Sequence, residues 1–352
     1  MKFKIQNRYV GDGYPLFFIA EAGVNHNGSI ELGKKLIDIA VDADADAVKF
    51  QTFKTENIIT QDAPKSTYHI ETTGDDREQT WFELLKTQEM SKNMHVDLIE
   101  YCAEKRIIFL STPYDQESVD LLQELDVPAF KIASTDTSNI PLLSYIAHKA
   151  RPMILSSAMA TMEEVENAVA AVRDEGLEDI AVLQCTGNYP TNLSDSNLRV
   201  MQTYRKKLHC IVGYSDHTPD LINPVAATAM GAKVYEKHFT IDKNLPGPDH
   251  RIALAPEELK QTVIAIRETE MALGSSEKQV LESEKENRVK LRKSIVANTD
   301  INKDEIIHHE MIAIKRPGNG IPPSEMEIII GKRAAINISS GTVLTFDMVD
   351  GQ

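Results

Sequence analysis

Short apolar runs alternate with longer amphipathic ones from residue 16 to residue 274. LFFIAEAG (16–23) reads as a strand. SIELGKKLIDIAVDA (29–43) reads as a helix, with Leu32, Leu36, Ile39 and Ala43 on one face and Ser29 as its N-cap. The same alternation then repeats. DAVKFQTF (46–53), IIFLSTPY (107–114), AFKIAS (129–134), MILSSAM (153–159), IAVLQCT (180–186), HCIVGYSDH (209–217) and KVYEKHFT (233–240) are strand-like, and helical periods separate them. Such short runs, rich in Val, Ile and Phe, suit parallel strands buried on both faces. Eight strand–helix units predict a (β/α)8 TIM barrel over residues 1–274, because closure leaves no sheet edge exposed. No GxGxxG or GxxxxGKS/T loop follows a strand, which argues against a nucleotide-binding open sheet.

Two stretches depart from the pattern. Residues 54–91 form a long insert after the second strand, and its length predicts a lid or a mouth-lining segment. After Gly274 comes a heavily charged run, SSEKQVLESEKENRVKLRK (275–293), which reads as a solvated linker. Residues 294–352 hold short β-like pieces, Gly/Pro turns and one short helix. That makes a small second domain, too small to be robust alone and expected to pack on the barrel or on a second subunit.

If the barrel closes, its strand ends converge on one mouth. Those ends carry Glu21, Lys49, Gln51, Thr112, Lys131, Ser134, Ser156, Ser157, Ser215, Glu236, Lys237 and His238, with Tyr189, Asp216, His217 and Asp249 just beyond. Buried polar groups cost free energy unless paired, so a ring of them reads as a polar ligand site. Lys49 and Lys131, with the hydroxyls of Thr112, Ser134, Ser156 or Ser157 and Ser215, suit a phosphate and a carboxylate on one small molecule. A Schiff-base lysine is the competing use of the same residues. His217 and His238 end consecutive strands. Two imidazoles near Asp216 or Glu236 suit a divalent metal such as Mn, Fe, Co or Zn, and acid–base chemistry is the alternative. Glu21 and Glu236 are candidates for proton transfer or for gripping hydroxyls.

Charge and cysteine content narrow the partners. A formal net charge of −15 disfavours nucleic acid and anionic membranes. Three cysteines without a CxxC pair fit a reducing compartment. The N-terminus has no signal-like segment and no run approaches the ~20 apolar residues of a membrane span, so a cytoplasmic location is expected.

The phrases IAEAGVNHNG (19–28), AVKFQTF (47–53), FLSTPYD (109–115), KIAS (131–134), GYSDHT (213–218), EKHFT (236–240), GPDH (247–250) and KRPGNG (315–320) together resemble the sialic acid synthase family. The resemblance runs in order through nearly the whole chain. It implies a TIM barrel followed by a small antifreeze-like (SAF) domain, in a domain-swapped homodimer. It also implies condensation of phosphoenolpyruvate (PEP) with an N-acetylmannosamine-type sugar, with a divalent metal, Mn or Mg. Carried over by motif, His217 and His238 match the metal ligands. Lys49, Thr112, Lys131, Ser134, Ser157 and Ser215 match the PEP pocket. Glu21, Gln51, Glu236 and Asp249 match groups near the sugar and metal, and Tyr189 lies in the same mouth. Arg316 matches an arginine supplied by the partner's small domain to the sugar's N-acetyl group. Where some members place a phosphate-contacting asparagine, this chain has Gly187, with Asn188 one place on. The acceptor is expected to be N-acetylmannosamine or 2,4-diacetamido-2,4,6-trideoxymannose. A Schiff-base aldolase using Lys131 or Lys237, and a non-catalytic glycan-binding protein, are the rival readings.

Overall fold

The computed structural model describes residues 1–75 and 77–351. The chain divides into two compact units, Met1–Gly274 and Ser275–Gln352.

The first unit is a (β/α)8 barrel. Its eight parallel strands are β3 (Phe17–Gly23), β4 (Ala47–Thr52), β5 (Ile108–Pro113), β6 (Phe130–Ile132), β7 (Met153–Ser156), β8 (Ile180–Cys185), β9 (Ile211–Asp216) and β10 (Val234–His238). They hydrogen-bond in the order β5-β4-β3-β10-β9-β8-β7-β6, and β5 and β6 pack side by side at the seam. Helices follow the strands where the 3.6-residue period places them. Ser29 caps the helix Ile30–Asp42 by accepting from Leu32 N, and Pro256–Leu273 closes the series.

Alternation along the strands makes two cores. Phe17, Ile19, Ala47, Ile108, Leu110, Ala129, Ile154, Ala181, Leu183, Ile211 and Val234 fill the barrel. Phe18, Val48, Phe109, Phe130, Leu155, Val182, Val212 and Tyr235 face the helices. One feature is absent from the sequence expectation: an antiparallel hairpin, β1 (Lys2–Ile5) with β2 (Arg8–Gly11), precedes the barrel. Its Phe3, Ile5 and Val10 join the interior cluster, so the hairpin plugs one end of the barrel. The described residues of the 54–91 insert include the short helices Thr55–Ile58, Thr67–Thr73 and Trp81–Lys86. Asp76 within it lies outside the described residues.

The second unit begins with exposed short helices, Glu282–Glu284 and Lys285–Leu291. Strands β11 (Ser294–Ala297) and β12 (Ile312–Lys315) pair antiparallel. Further bridges join Ile301 to Ile338 and Val296 to Val343. Its core is a separate set of Ile295, Ile301, Ile307, Ile321, Ile329, Ile338 and Leu344.

Candidate active site

The interior parity that buries Ile19, Ala47, Leu110, Ala129, Ile154, Leu183, Gly213 and Val234 continues two residues on. It delivers Glu21, Lys49, Thr112, Lys131, Ser156, Cys185, Ser215 and Glu236 to one layer at the strand ends. All are buried. Lys49 Nζ lies 2.7 Å from Glu21 Oε2 and 3.9 Å from Glu236 Oε1, and donates to Thr112 Oγ1 at 2.9 Å. Lys131 Nζ lies 3.5 Å from Glu236 Oε1 and donates to Ser156 Oγ at 2.7 Å. Ser215 Oγ donates to Glu236 Oε1 at 3.4 Å, while Glu236 Oε2 has no hydrogen-bond partner among the described residues. Gln51 Nε2 donates to Glu21 Oε1 at 3.1 Å.

The two carboxyls are driven apart. Burial, reinforced by the Glu236 charge, pushes Glu21 up to about 7 against the pull of Lys49. Burial also raises Glu236, but Lys131 and Lys49 outweigh it and hold that carboxyl below its usual range. Burial lowers Lys131, whereas Glu21 and Glu236 overcome burial at Lys49 and raise it.

The histidines stand beside this layer. The His217 and His238 rings lie 5.5 Å apart, with Tyr189 over His217 at 4.2 Å. His217 Nδ1 bonds to Thr186 O at 2.8 Å, which leaves Nε2 free. His238 Nδ1 is buried without a hydrogen-bond partner and lies 3.9 Å from Asp249 Oδ2. Burial raises Asp249 to about 6. At Gly23 (φ +55°) an added Cβ would lie 3.3 Å from both Gln51 Nε2 and Glu21 Oε1, and 3.4 Å from Asp249 Oδ2. The left-handed backbone favours glycine there, and an added Cβ would crowd three polar side chains at once. Among the described residues no three His, Cys, Asp or Glu side chains converge as a ready-made metal cage. The set present fits a more open site: a buried, orphaned His238 nitrogen, a second imidazole oriented by a carbonyl, and positions left for water or substrate.

Ser157, Ser134 and Lys237 bond outside the layer of buried strand-end side chains. Ser157 faces outwards, its hydroxyl shared between Leu183 O at 2.8 Å and Tyr204 Oη at 2.9 Å; Ser156 is the serine at Lys131. Ser134 Oγ accepts from Ala158 N at 2.9 Å. Lys237 points to the helix side and is ion-paired with Asp216 at 2.6 Å, which removes it from a Schiff-base role. Arg316 belongs to the second unit, where its Nε donates to Leu291 O at 3.1 Å.

Sequence reasoning also missed residues. Cys185, not singled out among the mouth residues, has Sγ 3.9 Å from His217 Nδ1. Counting by twos from Ala181 and Leu183 would have placed it. Tyr68 of the insert donates to Pro248 O and lies 5.8 Å from the Tyr189 ring. No local signal marks it.

The NeuB family model matches residues 36–278 and the SAF domain model residues 292–350. The chain belongs to the NeuB family. As an enzyme of that sialic acid synthase group it bears out the resemblance read from the sequence. The N,N'-diacetyllegionaminic acid synthase of Campylobacter jejuni is 44% identical over 321 residues, 91% of this chain and 96% of that protein. Human N-acetylneuraminate-9-phosphate synthase is 36% identical over 345 residues, 97% of this chain and 95% of that protein. The crystal structure of the Bacillus subtilis spore coat polysaccharide biosynthesis protein SpsE is 38% identical, covers 100% of both chains and superposes with a TM-score of 0.68. No described helix of this NeuB-family chain is long and apolar enough to cross a membrane.

Proposed function

We propose that this NeuB-family enzyme condenses PEP with an open-chain 2-acetamido sugar of the mannose series, giving a nine-carbon 2-keto sugar acid and phosphate. One observation carries the reading: two buried lysines flank a buried carboxylate whose second oxygen is unpartnered, beside a pair of histidines. Lys49 and Lys131, with the Thr112 and Ser156 hydroxyls on them, hold the phosphate and carboxylate of PEP and fix its C3 towards the sugar aldehyde. C3 attacks that carbon, and positive character develops at C2. Glu236, through its free Oε2, takes a proton from the water that adds at C2. The tetrahedral product then loses phosphate by C–O cleavage. Glu21, held near neutrality by burial, grips a sugar hydroxyl together with Gln51 and Asp249. No covalent link between enzyme and substrate is required.

His217 and His238 would hold a divalent ion, Mn or Mg, with Asp249 beside them. When bound, such an ion supplies Lewis-acid polarisation of the sugar carbonyl. Tyr189 lies tilted over His217 and edge-on to His238, and walls the acceptor side. Arg316 is assigned to the acceptor's N-acetyl group, supplied by the second copy in a domain-swapped homodimer.

The acceptor we favour is 2,4-diacetamido-2,4,6-trideoxymannose, on the name and 44% identity of the C. jejuni relative. N-acetylmannosamine is the second candidate. Phosphate release from PEP in the presence of Mn, run with each sugar in parallel, tests both parts. A higher kcat/KM with the trideoxy sugar supports the favoured acceptor, and a higher value with N-acetylmannosamine replaces it. Absence of release with either sugar, from protein that still binds PEP, would overturn the assigned reaction.

A further inference from the structure

The hydrogen-bonded ladder between β9 and β10 runs Val234↔Gly213, Tyr235↔Tyr214, Glu236↔Ser215 and Lys237↔Asp216, and stops there. The two histidines are the next residues on each strand. They share the inner face with Ser215 and Glu236 but lie one step beyond the last pairing. Backbone bonding between these strands therefore does not fix their separation.

Side chains on the opposite face do what the ladder does not. Asp216 and Lys237, the last register pair, point away from the barrel interior and are 1% and 2% exposed. Lys237 Nζ lies 2.6 Å from Asp216 Oδ2 and donates to the carbonyl of Thr218, the residue after His217. Asp216 Oδ2 also accepts from Tyr235 Oη at 2.6 Å. Asp216 Oδ1 accepts from Thr218 N at 2.9 Å and Thr218 Oγ1 at 2.8 Å, and Asn223 Nδ2 lies 3.3 Å away. His217 is thus bracketed by two residues that are both bound to Lys237, and Lys237 is the residue before His238. A buried ion pair with its remaining hydrogen-bonding capacity satisfied is costly to break and specifies one geometry.

We infer that the Asp216–Lys237 pair is a positioning device for the two histidines, locking the ends of β9 and β10 at the spacing a divalent cation needs. It rests on the proposed assignment of His217 and His238 as metal ligands. Neither residue touches the reacting atoms; both act through the imidazoles on the other side of the sheet.

The test is Mn(II) binding to metal-free protein, read from the loss of the free-ion electron paramagnetic resonance signal, with PEP binding measured separately without metal. Lys237→Met is expected to weaken Mn binding at least tenfold and leave PEP binding within about twofold. Lys237→Arg, which keeps the charge and a donor for Asp216, is expected to recover most of the affinity. Should Lys237→Met fail to fold, Asp216→Asn takes its place with the same expectation. Mn affinity within twofold of wild type in a folded Lys237→Met or Asp216→Asn protein would overturn the positioning role. An intact protein that binds no Mn at all would instead overturn the ligand assignment, so the two failures are distinguishable.

Discussion

Glu236→Gln isolates the charge of one carboxylate while keeping its shape. Glu236 Oε1 lies 3.5 Å from Lys131 Nζ and 3.9 Å from Lys49 Nζ. At an effective dielectric of about 20, each pair is worth roughly 4–5 kcal/mol of attraction, before the cost of burying the charges is counted. Removing the charge frees both ammonium groups to act on an incoming dianion, so the Kd for PEP should stay level or fall. Loss of the proton acceptor should reduce turnover about 10²–10⁴-fold, or roughly 3–5 kcal/mol of barrier. A second effect follows from Lys131. Burial already lowers its pKa and Glu236 is the largest opposing influence, so in the variant Lys131 loses its proton at lower pH and PEP affinity falls earlier on the alkaline side. Single-turnover phosphate release, calorimetric PEP binding across pH, and a thermal melt to confirm folding form the assay. Turnover within about threefold of wild type in a folded variant would refute the role given to Glu236.

His26 is fully buried and burial lowers its pKa from 6.5 to about 4, so the unfolded chain binds the extra proton between those values. Its contribution to stability is complete above pH 6.5 and is lost as pH falls towards 4, by roughly 2–3 kcal/mol at pH 4.5. Urea unfolding at pH 7.5 and 4.5 should show that loss, and His26→Asn should shrink the difference; an unchanged difference would count against it. Gly213→Ala places a Cβ 2.2 Å from Val234 O and 2.6 Å from Leu183 Cδ2 inside the barrel. With backbone on one side, the expected cost is about 3 kcal/mol or more, and a near-wild-type urea midpoint would contradict it. Arg316→Ala should raise KM for the sugar more than KM for PEP, and the proposed homodimer predicts that activity of the unaltered protein falls on dilution. Full activity from a verified monomer would contradict an arginine supplied in trans.

The barrel was legible because its strands are uniformly apolar and its helices strongly periodic, so element type followed from burial alone. The mouth residues were legible as a group, since a barrel sends strand ends to one face. Which face of the strand each residue occupies was harder to read. Ser156 against Ser157, and Lys131 against Lys237, differ only in parity. That parity becomes certain once Ile154, Ala129 and Val234 are known to fill the interior. The hairpin of Lys2–Ile5 and Arg8–Gly11 escaped because four-residue strands joined by a tight turn carry too little pattern to stand out. Tyr68 escaped for a different reason. Its contacts to Pro248 and Tyr189 bridge sequence separations that no local period encodes.

The plug at the foot of the barrel bears on how the chain matures. Phe3, Ile5 and Val10 lie earlier in the sequence than every barrel strand, yet the interior they complete includes Val234 of the last one. The same cluster holds Phe17, Ile19 and Ala47 of the first two barrel strands and Ile211 of β9, so the hairpin is shared by both ends of the barrel sequence. The interior is therefore complete only when the first strands, the last strands and the hairpin have all met.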